Sequence, residues 1–504
     1  MAGATYGAAR MNADVVFKWV RGVMLLGLLA YFVLSLIQGL VKEHSDAVFG
    51  RYAKGAGQDP GVRVLLSNRS GKDPLAEPSR TQEQVELTIF QDVDVVTPDD
   101  PDNAERHLTL RSGAKLFILV DGPDGMTLSS KEWGSGGKEV RWNVNRVRVQ
   151  PRATTLSPTA ENAKTAPGHL EPTGFEAVDS QPVFGLTDRR YRGSAEILWK
   201  SEKQLMVIDC LPMEAYVDGV VAVEMSPSFP IEALKAQAVV SRSYAYARAW
   251  AARYARQPFD LVDGVDDQDY RGHGNGNDLV TRAVVETRGT ITYTDQSDGS
   301  FPFAPYFSAS SGGYTASVAS VFPDAHDAYG HALPPEIMPA QADPYCQAGA
   351  DQLGYLSTHW VTSDVIRPAD IRSGLIKLFK QLGDARPIGH TKNLRVGRRN
   401  PQSNRVETVI IDHTLGDPIE LPAAWFRRMI GNGRIRSTLW SARSPEKIDA
   451  KDDPLRKDYR IETLGYGHGV GMSQISAWEM AQQGRLATEI LRFFYPRVRL
   501  VPMW

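Results

Sequence analysis

The longest apolar stretch of the chain lies near its N-terminus. Residues 22–41 read GVMLLGLLAYFVLSLIQGLV and carry no formal charge. At a rise of about 1.5 Å per residue, twenty helical residues cross the roughly 30 Å hydrocarbon core of a bilayer. The residues that follow, KEHS at 42–45, offer no small-residue cleavage site. The pattern therefore favours a retained transmembrane anchor over a cleaved signal peptide or a buried helix.

The charges beside this stretch predict its orientation. Residues 1–21 carry three basic side chains and one acidic side chain, whereas residues 42–46 carry one basic and two acidic side chains. Positive charge collects on the cytoplasmic side of membrane helices. We therefore expect a single-pass protein of the cytoplasmic membrane, with residues 1–21 in the cytoplasm and everything after Val41 outside it, in the periplasm or cell wall.

Short runs of alternating apolar and polar residues predict a β-rich region over residues 60–150. The runs lie at 62–66, 85–90, 108–111, 115–120 and 141–150, separated by segments rich in Pro, Asp and Gly. From residue 151 to 181 the chain turns to Pro, Thr, Ala and Glu without periodicity, which predicts a linker or insertion.

A different periodicity follows this linker. Two further strand-like runs at 195–200 and 204–209 precede a segment with apolar residues at helical spacing, which predicts a helix from Pro230 to Tyr254. We therefore expect an α+β fold, mainly mixed β-sheet with this helix packed against it, behind one N-terminal transmembrane helix.

Composition narrows the class of protein. The 504 residues include 57 Lys and Arg against 59 Asp and Glu, and 42% are hydrophobic, which excludes wholesale disorder. A net charge of −2 without a local basic patch argues against nucleic-acid binding. The two cysteines, Cys210 and Cys346, allow at most one disulfide and cannot form a cysteine-rich metal cage.

Glu224 is a candidate acid, because it ends the apolar run 220–223 just before the helix that Pro230 introduces. Desolvation raises the pKa of a carboxyl group toward the range that a general acid needs near neutrality. A second interpretation stays open at this point: the carboxylate accepts hydrogen bonds from backbone amides at a helix start.

Several further motifs occur in order along the chain, at 214–248, 268–272 (QDYRG), 287–289, 306–315 (YFSASSGGYT), 343–345, 426–427, 436–437, 465–474 (GYGHGVGMSQ) and 477–496. In this order they resemble the stage II sporulation protein D family (SpoIID/LytB) of cell-wall lytic enzymes. The resemblance covers about residues 185–498, and the strands from Val62 onward correspond to the N-terminal part of the family.

The resemblance implies a lytic transglycosylase that cuts peptidoglycan between N-acetylmuramic acid and N-acetylglucosamine and leaves 1,6-anhydromuramoyl ends. One carboxyl group suffices for this reaction, because the 6-hydroxyl of the sugar replaces the water that a second carboxylate would activate. Glu224 matches the catalytic Glu of the family and would act first as acid and then as base, without a cofactor. The family prefers glycan stripped of its stem peptides, which implies an N-acetylmuramoyl-L-alanine amidase as partner.

The same motifs supply candidate substrate-binding residues, each with a structural alternative. Lys235 and Gln237 lie on different faces of one helix, so one of them would point into the groove. The remaining candidates, which either bind sugar or fix the local fold, are Arg242, Tyr244, Tyr270, Ser310, Ser311, Gly312, His468, Ser473 and Gln474. His468 is expected either to hydrogen-bond the sugar or Glu224, or to be a structural histidine.

No metal site is expected. Some members of the family resemble a pattern in which two cysteines supply thiolates to zinc, but Val262 and Asp267 occupy those positions here. The acidic residues of 263–269 fit no standard calcium loop.

Two other function classes stay open. The first is a noncatalytic glycan-binding or amidase-stimulating protein, which would keep the groove without cleaving the chain. The second is a hydrolase that uses Ser311 or Cys210 with His468, for which no supporting motif occurs.

Overall fold

The computed structural model describes residues 59–67, 83–97, 107–120, 126–130, 138–142, 144–152, 181–201, 204–251, 254, 257–264, 266–294, 300–327, 330–354, 359–451 and 456–504. Residues 55–504 form one compact unit, and the strands, helices and cleft described below belong to it.

The first half of this unit is built from strands. They are β1 (Gly61–Leu65), β2 (Gln84–Ile89), β3 (Val93–Val96), β4 (His107–Leu110), β5 (Lys115–Val120), β6 (Met126–Ser130), β7 (Lys138–Trp142), β8 (Arg146–Pro151), β9 (Phe184–Leu186), β10 (Arg189–Tyr191), β11 (Ser194–Ser201) and β12 (Gln204–Pro212). Side chains alternate between buried and less buried along β2 and β8, as in strands with one face on a core.

The second half mixes helices with short strands. They are α1 (Met213–Glu224), α2 (Ile231–Trp250), β13 (Leu261–Val262), α3 (Asp278–Glu286), β14 (Thr290–Thr294), β15 (Phe307–Ser308), α4 (Val318–Val321), α5 (Tyr345–Gln352), β16 (Val361–Ile366), α6 (Pro368–Gln381), β17 (Thr391–Arg399), β18 (Val406–His413), β19 (Ile419–Pro422), α7 (Ala423–Ile430), β20 (Glu446–Asp449), β21 (Lys457–Leu464), β22 (Met472–Ser473), α8 (Gln474–Gln482), α9 (Ala487–Phe494) and β23 (Val498–Pro502).

Two large sheets hold most of the strands. One has the order β13-β1-β12-β11-β8-β3-β4 and the other the order β10-β9-β2-β5-β6-β7. Antiparallel pairing dominates, but β13 adds to β1 in parallel. Because β1 pairs with β12 and β8 pairs with β11, the strands of residues 60–150 share a sheet with those that follow residue 185.

Residues 361–464 build a second core beside the cleft described below. Two three-stranded sheets, β16-β21-β20 and β17-β18-β19, pack with α6 and α7. Their apolar side chains form one buried cluster that includes Leu375, Val409, Phe426 and Trp440. This part therefore presents a packed wall, and not a loose loop, to the rest of the unit.

The predicted α+β fold is confirmed. Strands appear at the predicted runs with shifts of one residue or none, with two exceptions: β12 continues to Pro212, three residues beyond the predicted end, and the run 141–150 divides between β7 and β8. The predicted helix appears as α2 and ends at Trp250, four residues before the predicted end.

Other predictions fall outside the description. The anchor over 22–41 and most of the linker over 151–181 lie outside the described residues. In the part that the structure does describe, no helix combines the length and the apolar character needed to cross a membrane.

Candidate active site

Glu224 is positioned by α1, a helix that the sequence pattern did not predict. The carboxylate of Asp59 accepts hydrogen bonds from the backbone N–H groups of Met213 (2.7 Å) and Glu214 (3.1 Å), and so caps the first turn of α1. The helix runs to Glu224 and stops there, since Met225 has extended backbone angles. Glu224 is thus the last residue of a helix and not, as one interpretation held, a residue at a helix start.

Two groups hold the Glu224 carboxyl group. The backbone N–H of Asp269 donates to Oε1 at 2.9 Å, and the side-chain amide of Gln474 lies 3.5 Å from Oε2. The first contact is a good hydrogen bond and the second is a weak one. Because Oε1 accepts from an amide, a proton on this carboxyl group belongs on Oε2.

The surroundings of Glu224 favour its neutral form. Burial, together with the nearby Asp269 carboxylate, raises its pKa to about 7, although the Asp269 amide, Gln474 and the Arg271 charge act in the opposite direction. The position at the C-terminus of α1 adds to the effect, because the carbonyl end of a helix disfavours negative charge. A carboxyl with this pKa is protonated in a large fraction of molecules at neutral pH, as a general acid requires.

A chain of amides positions Gln474. Its Nε2 also lies 3.4 Å from Oε1 of Gln237, and the Gln237 amide donates to Ser241 Oγ at 2.9 Å. Gln237 is fully buried on α2. The structure therefore places this predicted substrate-binding residue behind Gln474, where it orients the amide that faces Glu224.

A buried hydroxyl network holds the start of α8, which carries Gln474. Ser473 caps this helix, and Ser476 donates to Ser473 Oγ at 2.8 Å. Ser311 and Ser476 both donate to Oδ2 of Asp343, at 2.6 and 2.7 Å. The predicted residues Ser311 and Ser473 thus join the 306–315 turn to α8. The Ser311 hydroxyl is directed at a carboxylate and not at His468, which contradicts the serine-hydrolase interpretation.

Glu224 lies in an open cleft of about 1210 Å³. Residues of α1 and α2 line one side of this cleft, and the wall formed by residues 361–464 lines the other. Tyr244, Arg248 and Tyr306 line one part of the cleft, and Trp425 and Arg427 of α7 line another. Arg248 donates to the Tyr306 hydroxyl at 2.8 Å and lies over the Tyr244 ring. The cleft therefore combines aromatic faces with polar groups, as sites for sugars require.

His468 lines the same cleft but is held by other groups. Its Nδ1 accepts from the backbone N–H of Val470 at 3.0 Å, and its ring packs edge-on against Tyr306 and Phe322. Burial, together with the charges of Arg427 and Arg405, lowers the pKa of His468 to about 3. The imidazole is therefore neutral, and the alternative in which it hydrogen-bonds Glu224 is not the arrangement seen.

Other predicted residues form internal contacts. Lys235 forms ion pairs with Glu232 and Glu286 at 2.8 and 2.7 Å. Arg242 is fully buried and binds Glu214 through two nitrogens. Tyr244, in contrast, lines the cleft while its hydroxyl donates to Asp267 at 3.2 Å.

Three more candidates also pack within the fold. The buried Tyr270 donates to Asp209 at 2.8 Å and covers the α1 glycine Gly219. Ser310 Oγ lies 3.2 Å from Cys346 Sγ. Gly312 has φ +75°, and a Cβ there would lie 2.7 Å from the backbone of Leu464, so a close approach of two chain segments requires glycine.

Val262 and Asp267, which occupy the positions of the zinc-binding cysteines of some family members, are joined here by a hydrogen bond. Asp267 Oδ2 accepts from the backbone N–H of Val262 at 2.9 Å and from the Tyr254 hydroxyl at 3.2 Å. Asp267 thus fastens the 262–269 loop, whose Asp269 amide reaches Glu224. Among the described residues no group of three or more His, Cys, Asp and Glu side chains is arranged to hold a metal ion, and both cysteines are free thiols.

Sequence reasoning missed several cleft residues. Asp269 and Tyr306 belong to motifs that were recognised, but nothing in their spacing separated them from their neighbours. Arg248 and Trp425 gave no signal, because single aromatic and basic residues on helices are common on surfaces. Arg427 appeared only as part of a motif, without a role.

Comparisons with known proteins agree with the motifs. The family model described as Stage II sporulation protein matches residues 201–293, the segment that contains α1, α2 and the Asp269 loop. An uncharacterized protein of Brachyspira hyodysenteriae is 29% identical over 327 residues, which cover 64% of this chain and 75% of that protein.

Two named relatives are more distant. Stage II sporulation protein D of Bacillus amyloliquefaciens is 27% identical over 314 residues, covering 58% of this chain and 74% of that protein. The amidase enhancer of Bacillus subtilis is 26% identical over 319 residues, covering 56% of this chain and 40% of that protein. The family match across the Glu224 segment and these relatives support the resemblance of the chain to the stage II sporulation protein D (SpoIID) family.

Proposed function

We propose that this protein is a peptidoglycan lytic transglycosylase that cuts glycan strands between N-acetylmuramic acid and N-acetylglucosamine. Similarity to the SpoIID family supports a role connected with the cell wall. The observation that carries the finer proposal is the Glu224 carboxyl group, which faces an open cleft with a pKa raised to about 7. An ordinary Glu is protonated in fewer than about one molecule in a hundred at neutral pH.

Neighbouring carboxylates are engaged elsewhere, which favours a reaction with one carboxyl group. Asp269 pairs with Arg271 at 2.8 Å, and Asp267 accepts from Val262, Tyr244 and Tyr254. Hydrolysis by the usual route needs a second carboxylate that activates water or attacks the sugar. An internal sugar hydroxyl removes that requirement.

The reaction then needs two proton transfers at one oxygen. Glu224 Oε2 donates its proton to the glycosidic oxygen as the bond from that oxygen to C1 of the muramoyl ring breaks. The 6-hydroxyl oxygen of the same ring forms a bond to C1, and the Glu224 carboxylate accepts the hydroxyl proton, which restores the acid. The Asp269 amide holds Oε1 during both steps, while the weak contact with Gln474 leaves Oε2 available to the sugar.

A noncatalytic role is the second candidate, because one relative bears the name amidase enhancer. In that case the cleft would bind glycan and stimulate an amidase without cutting the strand. The same name supports the proposal that an N-acetylmuramoyl-L-alanine amidase is a partner of this protein, since such an enzyme would remove the stem peptides.

Analysis of reaction products separates the two candidates. The purified chain, incubated with peptide-free glycan strands, should release fragments with 1,6-anhydromuramoyl ends, which are lighter than hydrolysed ends by one water molecule in mass spectrometry. Fragments with ordinary reducing ends would point to a hydrolase. Strand binding without release of any fragment between about pH 5 and 8 would favour the noncatalytic role.

We further propose that the 22–41 stretch anchors the protein in the cytoplasmic membrane with the cleft outside. The basis is the uncharged run and the charge difference between its flanks. A reporter phosphatase that works only outside the cytoplasm, fused after residue 60, should be active. An inactive phosphatase together with an active cytoplasmic reporter at the same junction would reverse the orientation.

A further inference from the structure

Arg427 of α7 is a cation in the cleft wall that pairs with no carboxylate among the described residues. Its Nε donates to the backbone carbonyl of Ile435 at 2.9 Å, which fixes the guanidinium group. In the part of the chain that the structure describes, neither terminal nitrogen of Arg427 has a hydrogen-bond or ion-pair partner. Since the residue lines the cleft, these two nitrogens are available to a ligand there.

The neighbourhood of Arg427 disfavours its charge. Burial lowers the pKa of Arg427 to about 10, and the nearby Tyr466 side chain acts in the opposite direction. The buried Arg405 is nearby, and its nitrogens donate to neutral acceptors, among them Ser437 Oγ and the carbonyls of Ser311 and Tyr314. Two positive charges thus lie close together in this wall without a carboxylate between them.

Two other arginines near the cleft, Arg398 and Arg428, have carboxylate partners. Arg398 pairs with Glu407 at 2.6 Å, and Arg428, the residue after Arg427, lies 3.8 Å from Asp266. The Arg428 side chain is 83% exposed, so water stabilises its charge in any case. Arg427 differs from both, because it is only partly exposed and no carboxylate of the described residues pairs with it.

An unpaired cation in such a place destabilises the free protein and is stabilised when an anion arrives. A guanidinium with two free nitrogens matches the two oxygens of a carboxylate. On the same helix, Trp425 lines the cleft with 46% of its surface exposed and offers an aromatic face to a sugar ring. This part of the wall therefore fits a sugar that carries a carboxylate.

We propose that Arg427 is a substrate-binding residue that receives a carboxylate of the glycan strand. The identity of the polymer rests on the proposed function. In a peptidoglycan strand, the carboxylate nearest the sugar ring is the lactyl group of a muramoyl residue, and it is charged only where no stem peptide is attached. An attached peptide turns this group into a neutral amide and moves the nearest carboxylate further along the peptide. Arg427 thereby selects stripped muramoyl residues.

The test measures binding separately from cleavage. The dissociation constants of three tetrasaccharides are measured with the purified Glu224→Gln variant, which should not cut them. One ligand has free lactyl carboxylates, one has these groups coupled to methylamine, and one carries stem peptides. We expect the free-carboxylate form to bind about 10- to 100-fold more tightly than the methylamide. Arg427→Gln should remove this difference in affinity. Arg427→Lys keeps the positive charge but not the two guanidinium nitrogens that can bind two carboxylate oxygens, so it should retain part of the difference.

Arg428→Gln is the matched control, because it removes one positive charge from the same helix at an exposed site. It should leave the preference for the free carboxylate unchanged. Equal binding of the first two ligands, no binding of any ligand, or equal effects of the Arg427 and Arg428 substitutions would overturn the proposal. Tighter binding of the peptide-bearing form would assign the site to a peptide carboxylate instead.

Thermal unfolding excludes a merely structural role. Because the charge of Arg427 is partly buried and has no carboxylate partner among the described residues, Arg427→Gln should leave the melting temperature unchanged or raise it. A clear decrease, with carboxylate preference intact, would show that Arg427 only supports α7. The transglycosylase proposal is tested independently of the Arg427 proposal. If the chain with Glu224 intact binds the carboxylate form more tightly than the methylamide but cuts neither, only the transglycosylase proposal is wrong.

Discussion

Replacing Glu224 by Gln should lower the rate of strand cleavage by about 10²- to 10⁴-fold, with the larger loss expected because one residue performs both proton transfers. The amide keeps the shape of the side chain, and its oxygen can still accept from the Asp269 N–H. It can neither donate a proton to the glycosidic oxygen nor accept one from the 6-hydroxyl. The measurement is the initial rate at which 1,6-anhydromuramoyl ends appear from peptide-free strands.

Binding and pH provide the controls for this prediction. Strand affinity should change little in the Gln variant, and Glu286→Gln, which neutralises an exposed carboxylate paired with Lys235 and Arg282, should keep the wild-type rate. With Glu224 intact, the rate should fall as the pH rises through about 7, because the acid must start protonated and its pKa is raised to that value. A Gln variant that retains the wild-type rate would show that another group is the acid.

The strands and α2 could be predicted because their patterns are local. Alternation along β2 and the helical spacing of 231–247 depend only on residues close in sequence. Helix α1 escaped prediction for the opposite reason. Its apolar run contains Val220, Val221 and Val223, which also suit a strand, and its cap comes from Asp59, which is 154 residues before Met213.

The residues that surround Glu224 illustrate the same limit. Asp269 is 45 residues away and Gln474 is 250 residues away, so no local pattern indicates which amide reaches which oxygen. The family motifs indicated Gln237, Gln474 and His468 as a group of candidates. Only the fold shows that the Gln474 amide faces Glu224 and that the Gln237 amide lies behind Gln474. The free nitrogens of Arg427 are likewise a property of what the fold leaves unpaired, which sequence cannot show.

Arg242 is the clearest case in which a motif residue supports the fold. The sequence left two roles open, sugar binding or fixing the helix. In the structure its guanidinium binds both Glu214 oxygens, at 2.9 and 2.5 Å, and neither side chain is accessible to solvent or ligand. Glu214 also accepts from the Gly289 backbone at 3.0 Å and from the Trp504 indole at 3.1 Å. The pair therefore ties α1 to α2 and to the C-terminal strand region.

Arg242→Met should lower the free energy of unfolding by about 3–5 kcal/mol, because it leaves the Glu214 carboxylate buried without its counter-charge. Chemical denaturation followed by tryptophan fluorescence measures the loss. Arg282→Met, which breaks an exposed Arg–Glu pair on α3, should leave the free energy of unfolding nearly unchanged in the same assay, because water and salt screen such a pair. Arg242→Met chains that remain folded at low temperature should bind strands normally, since the guanidinium does not reach the cleft. Unchanged stability combined with lost strand binding would instead assign Arg242 to the substrate.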